Sequence, residues 1–304
     1  MSLSIFGVLL FLSWAIPLHI LPWVSWHNEV LSFAAAICMT GILLKRLYGG
    51  GANNAVKVPI LAWPFLILAG IVVFQTAFGA ITFFGDALVL IFYLAICVKM
   101  LAVGYEIGAA QLRNQPSGAN FMGAIGQFAW LLVIGGLFST VIALAQVLDV
   151  WDTSSWVLRM PVLRRPGANI GQPNQLATLI MFAIASLVYL FETGRFSPST
   201  AVFLMGMLLF GLVVTESRTG AISLFLVAIW WMFKRHQLSF RLSSPAVSIG
   251  LALFGVCLLL WPILLGMIEL ISVDTATETM ALNLRAGTRL VVWPQLWQAV
   301  LQRP

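Results

Sequence analysis

Arg164 and Arg165 stand side by side at the head of the stretch RRPGANIGQPNQ, which closes on Gln172, Asn174 and Gln175. A guanidinium is a planar fork that grips phosphate or carboxylate through two parallel hydrogen bonds. Glycines at 167 and 171 let backbone come close to a ligand. Pro173 suits the first turn of a helix, where free N–H groups and the positive dipole end attract an anion. The three amide side chains add neutral donors. The chemistry on offer is anion binding at the head of an apolar helix; a simple polar cap explains one such residue better than five.

Arg218 lies in VVTESRTGAISLF. About 34 residues, Thr200 to Phe233, must cross a bilayer twice there. At about 1.5 Å per residue, each arm barely covers a hydrocarbon core of about 30 Å. The turn is therefore expected at or just below the interface, where an unpaired arginine is costly and by default a functional candidate. Glu216 is two residues away, so a continuous helix would not put the two on one face. Arg285 and Arg289 lie in LNLRAGTRLVVWPQLWQAVLQRP, four apart and on one face if helical. Leu290, Trp293, Trp297, Val300 and Leu301 recur at spacings of three and four, which predicts an amphipathic helix lying in the interface with tryptophan anchors. Pro294 would kink that helix or mark its start. For Arg285, contact with lipid headgroups is an equal alternative.

The elements that carry these residues follow from composition. The 304 residues are 61% hydrophobic and 9% charged, with a mean hydropathy of +1.00. Soluble domains are roughly one quarter charged, so the bilayer must be the solvent for most of this surface. Continuous apolar runs predict helices rather than alternating barrel strands. Candidate spans are about 3–22, 29–47, 58–78, 86–105, 121–149, 174–192, 199–215, 219–233 and 246–268. The expected fold is all-α and polytopic, with about nine transmembrane helices plus the interfacial amphipathic helix on the outer face. Residues 1–268 form the membrane domain, with an external segment at 150–172. Residues 269–304 read as the start of an outer loop, expected to be truncated.

With the N-terminus inside, Lys45, Arg46, Lys57, Lys99, Arg113, Arg195, Lys234, Arg235 and Arg241 fall in the cytoplasmic connections. The other basic residues, Arg159, Arg164, Arg165, Arg218, Arg285, Arg289 and Arg303, fall outside. The bias has the sign that orients membrane proteins. All lysines are inside and every outer basic residue is arginine. Orientation needs only charge, so this segregation points to an anion held on the outer face; snorkelling arginines are the bland alternative.

A net charge of +6 does not signal nucleic acid, because no basic-aromatic module is present. Cys38, Cys97 and Cys257 sit inside apolar runs as small packing residues, without disulfide or metal-ligand spacing. The first run lacks a basic n-region and a cleavage site and reads as a retained helix. His19, His27 and His236 have default interfacial or orienting roles, although His27 is within reach of the outer side. A transporter or flippase of an anionic polyprenyl-type substrate and a non-catalytic membrane scaffold are the rival classes; the former predicts midplane charges and broken helices in paired repeats.

RRPGANIGQPNQLAT, then ESRTGAISLF, then LRAGTRLVVWPQLW resemble, in this order, the bacterial O-antigen ligase and protein O-oligosaccharyltransferase superfamily. GQPNQLAT is similar to the short signature of its protein-glycosylating members. The likeness covers roughly Arg159 to Gln298. It implies an inner-membrane glycosyltransferase that takes an assembled oligosaccharide from undecaprenyl diphosphate at the periplasmic face. The acceptor would be a hydroxyl, on a serine of a pilin-like protein or on a sugar of lipid A-core. No metal, cofactor or nucleotide sugar is implied. Arg218 in SRTG and Arg289 in TRLVVW match the family's essential arginines and are the expected catalytic pair. Arg164, Arg165, Gln172, Asn174, Gln175 and Arg285 are the expected substrate-binding residues. The family's essential histidine has no counterpart among the three histidines, and its place is expected beyond Pro304.

Overall fold

A computed structural model describes residues 2–18, 26–48, 56–113, 123–148, 156–158, 165–234, 241–272 and 298. Among them are α-helices and 3-10 turns, with no strand. The helices are α1 (Ser2–Ala15), α2 (Trp26–Cys38), α3 (Thr40–Tyr48), α4 (Trp63–Ala77), α5 (Phe84–Arg113), α6 (Ala124–Val147), α7 (Pro173–Glu192), α8 (Pro198–Val214), α9 (Arg218–Lys234) and α10 (Ser244–Ser272). Each apolar run is helical, as its continuity predicts. Five stretches are long and apolar enough to cross a membrane: Trp26–Lys45, Ile60–Ala77, Phe84–Ala110, Ala124–Val147 and Pro173–Glu192. Ser4–Ala15, Pro198–Val214 and Pro245–Trp261 are shorter apolar helices. The described residues are those of an all-helical membrane protein.

Three boundaries depart from the expected spans. The first helix stops at Ala15, not near 22. Pro17 explains this, since it removes a donor and disfavours helical backbone at Ile16. The second run is broken at Met39 into α2 and α3. The fourth helix continues past 105 to Arg113, and Lys99, counted with the cytoplasmic connections although it falls within the expected span, lies inside α5. Its ammonium donates to the Ala36 carbonyl at 2.8 Å and to Thr40 Oγ1 at 3.2 Å, filling the gap the break opens.

The main core lies around α6, α7 and α8. Leu176, Ile180, Ala183, Leu187 and Leu190 of α7 alternate at four and three residues and are almost fully buried. They make one continuous seam. Of the apolar stretch of α6, 56% is buried inside the protein, against 11% of that of α4. Ile67, Val73 and Phe74 of α4 and Leu88, Val89 and Phe92 of α5 point outward, as suits a lipid-facing layer. Small residues let the core helices touch. A Cβ on Gly136 of α6 would come 2.4 Å from the Ala183 Cβ of α7, and one on Gly211 of α8 would come 2.3 Å from Thr140 Oγ1. Such close approach replaces the hydrophobic driving force that lipid removes.

Candidate functional site

The turn between α8 and α9 is three residues long, and all three are tied. Thr215 Oγ1 donates to the Leu212 carbonyl at 2.7 Å and accepts from the Ser217 N–H at 3.2 Å. The Glu216 N–H donates to the Val213 carbonyl at 2.9 Å. Glu216 itself has φ +50°, a left-handed conformation that costs a non-glycine residue about 1–3 kcal/mol. Ser217 then starts α9, its Oγ accepting from the Gly220 N–H at 3.2 Å, the usual way a hydroxyl satisfies an orphan helix donor. Gly220 lets the helices pack closely there, since a Cβ would lie 2.8 Å from Leu212 Cδ1 and 3.0 Å from Ala177 Cβ. Arg218 is thus the first residue of α9, and it is exposed.

The chain entering α7 folds back on itself. The Gly171 N–H donates to the carbonyls of Gly167 and Ala168, and Gly171 has φ +77°. A Cβ on Gly167 would lie 2.4 Å from the Gln172 nitrogen, so only glycine fits. Pro173 occupies the first turn of α7, as expected, and Gln172 Oε1 accepts from the Gln175 N–H at 2.6 Å. Two side chains tie this loop to its surroundings. Gln146 of α6 donates through Nε2 to the Leu158 and Ala168 carbonyls, at 2.8 and 3.1 Å, and accepts the Ala168 N–H through Oε1 at 2.9 Å. Ala168 has φ +50°, so Gln146 grips both polar groups of a strained residue. Asn169, 1% exposed, donates through Nδ2 to the Ala15 carbonyl at 2.7 Å and the Trp156 carbonyl at 2.9 Å. Its Oδ1 accepts from the Leu158 N–H at 2.9 Å. The carbonyl of Ile16, the residue after α1, accepts from His27 Nε2 at 2.8 Å. His27 is buried and serves as a tie between α1 and α2.

Two hydrogen bonds join the loop to the turn. Ser217 Oγ donates to Asn174 Oδ1 at 3.0 Å, and Arg165 Nη1 donates to the Glu216 carbonyl at 2.9 Å. The N-termini of α7 and α9 therefore start side by side, and their dipoles favour negative charge at one place. The Arg218 guanidinium adds a full charge and meets no hydrogen-bonding or ion-pair partner among the described residues. The arrangement can bind an anion such as a phosphate group. It brings together Arg165, Gln172, Asn174, Gln175 and Arg218. Arg159, Arg164, Arg285 and Arg289 lie outside the described residues, as does the predicted amphipathic helix apart from Gln298. Among the described residues no three His, Cys, Asp or Glu side chains gather to hold a metal. Sequence reasoning missed Gln146 and Asn169. Their signal was a lone amide near the end of an apolar run, and a second between the two glycines.

Residues 166–191 match a family model described as protein glycosylation ligase, which covers the folded-back loop and most of α7. A general O-oligosaccharyltransferase of Acinetobacter baylyi is 26% identical over 301 residues, which is 98% of this chain and 50% of that protein. A ComP-specific O-oligosaccharyltransferase of the same organism is 24% identical over 268 residues, 88% of this chain and 46% of that protein. The chain thus spans about half the length of the curated relatives it matches. No solved structure matches the chain significantly.

Proposed function

The chain belongs to the O-oligosaccharyltransferase and O-antigen ligase family, and we propose that the full-length protein transfers a preassembled glycan from undecaprenyl diphosphate to a hydroxyl acceptor. The acceptor is a serine of a pilin-like protein or a sugar of lipid A-core. The observation that carries the reading is Arg218, unpartnered among the described residues, at the head of α9. It stands beside the helix start whose loop matches the glycosylation-ligase model.

When the acceptor oxygen attacks the anomeric carbon, the bond to the diphosphate breaks and negative charge grows on the departing group. Fixed guanidiniums and helix N–H groups aimed there stabilise the transition state more than the ground state. In this reading Arg218 and Arg289 supply that charge. Arg164, Gln175 and Arg285, with the remaining donors of Gln172 and Asn174, hold the donor headgroup. No general base is assigned among the described residues.

The reading puts the site at the periplasmic face of the inner membrane, with about nine crossings. One observation supports the alternation of these crossings. The hydrogen bonds gather the ends of α1, α6 and α8 and the starts of α7 and α9, the same ends that an inside N-terminus sends outward.

The test is transfer by the reconstituted full-length protein from an undecaprenyl-diphosphate-linked oligosaccharide to a purified pilin peptide or lipid A-core, read as acceptor mass. The transporter or flippase reading draws on the α2/α3 break with Lys99 against it, a feature that transporters use at their sites. Movement of the lipid-linked glycan across vesicles, without transfer to any acceptor, would replace the first reading with the second.

A further inference from the structure

We propose that Arg165 is a positioning residue for Arg218. Its hydrogen bond to the Glu216 carbonyl holds the left-handed peptide from which α9 is launched. The inference rests on the glycan-transfer reading and divides the labour of the adjacent arginines, leaving Arg164 for the donor.

Three observations carry it. First, Glu216 is strained, and both of its backbone polar groups are in use: the N–H on Val213 of α8 and the carbonyl on Arg165. The left-handed φ of +50° at Glu216 helps set the direction in which the chain leaves the turn. If Glu216 relaxed to an ordinary φ, the first turn of α9 would point elsewhere, and Arg218 is only two residues on. Second, Arg165 reaches over from a firm base. Pro166, Gly167 and Ala168 are buried behind it, and Gln146 grips Ala168. Third, the same device occurs twice. Ala168 and Glu216 are the left-handed non-glycine residues among the described ones. Each has its carbonyl bonded by a side chain from a distant segment, Gln146 for the one and Arg165 for the other. A guanidinium committed to a backbone carbonyl in that pattern belongs to the frame around the anion site.

The test uses the full-length protein and steady-state transfer from an undecaprenyl-diphosphate-linked oligosaccharide. A loss of alignment by about 1 Å costs on the order of a hundredfold in rate, so Arg165→Ala should lower kcat by roughly ten- to a hundredfold. Donor KM should change by less than about threefold, because uniform binding is not what is lost. Glycine takes positive φ without a Cβ penalty, so adding Glu216→Gly to Arg165→Ala should restore roughly tenfold of the lost kcat. Glu216→Gly alone is the reference for that comparison. A raised donor KM with kcat retained, or no recovery in the double variant, would overturn the proposal and make Arg165 a donor ligand. Amide exchange over residues 213–221 reads the same question without turnover. Arg165→Ala should speed it, and unchanged exchange would count against positioning. Absence of transfer by the wild type would instead sink the glycan-transfer reading, while the exchange result would still decide whether Arg165 holds the turn.

Discussion

The two ends of α7 are built from the same materials and put to opposite use. At its C-terminal end, Glu192 accepts the N–H groups of Arg241 at 2.7 Å and Leu242 at 2.8 Å. Arg241 returns the favour, donating to the Phe191 carbonyl at 3.0 Å with its guanidinium 5.1 Å from the Phe191 ring centre. The left-handed residue there is Gly194, which bears φ +74° without strain. Carboxylate, arginine and turn are all satisfied within the protein. At the N-terminal end the left-handed residues include, besides Gly171, the non-glycines Ala168 and Glu216. There, side chains serve to hold strained backbone, while Arg218 is left exposed. In the proposed site, strain is tolerated beside a charge with no partner among the described residues, whereas the far end closes into a strain-free clamp.

The contrast breaks most severely at Arg218. Arg218→Lys keeps the charge and loses the fork. Transfer by the full-length protein should fall by roughly a hundredfold or more, a cost of about 2–4 kcal/mol, with the amount of protein in the membrane unchanged. Transfer near the wild-type rate would reduce Arg218 to an interfacial anchor and leave the two ends of α7 equivalent.

Asn169→Ala attacks the frame instead. It strips a partner from the carbonyls of Ala15 and Trp156 and from the N–H of Leu158. Buried groups left unpaired cost about 1–3 kcal/mol each before relaxation, so a loss of about 2–4 kcal/mol is expected, seen as a lower thermal midpoint in detergent. A midpoint equal to wild type would mean that the loop is held by other contacts. Gly136→Ala should be milder. Its new Cβ meets Ala183 of α7 at 2.4 Å, and overpacking of this kind costs about 1–3 kcal/mol. The same melting curve reads it, and an unshifted midpoint would show that α6 and α7 can separate without penalty.

What was legible in the sequence had a local signature. Helices, the hairpin around Arg218 and the helix start at Pro173 all follow from hydropathy and from proline and glycine placement. The meeting of GQPNQ with ESRTG was not legible in this way. It depends on Ser217 reaching Asn174 across 43 residues and Arg165 reaching Glu216 across 51, and no periodicity encodes such a contact. The break at Met39 was hidden because MTGIL reads as continuous apolar helix; its stabiliser, Lys99, lies on another element. Lys99 was read as an orienting charge because charge counts in connections ignore where a helix ends. The anion chemistry of Gln172 and Asn174 was read from composition. In the structure both carbonyl oxygens bond within the protein, which leaves their NH2 groups as donors.

The smallest effect is expected at the closed end. Glu192→Gln keeps shape and removes charge. A carboxylate can accept both N–H groups of Arg241 and Leu242, one on each oxygen. An amide has one accepting oxygen and must turn its NH2 toward the other donor. One bond is lost and one contact becomes repulsive. Glu192 is only half-buried, so water can partly replace the lost acceptor, and the cost should be about 1 kcal/mol. The thermal midpoint in detergent should drop by a few degrees. Glycan transfer measured well below that midpoint should change by less than about twofold, because nothing at this end contributes to charge stabilisation at the other. A loss of transfer comparable to that of Arg218→Lys, with the protein still folded, would show that the clamp sets the position of α7 as a rigid rod and governs the site from its far end. The two ends would then be one mechanical unit.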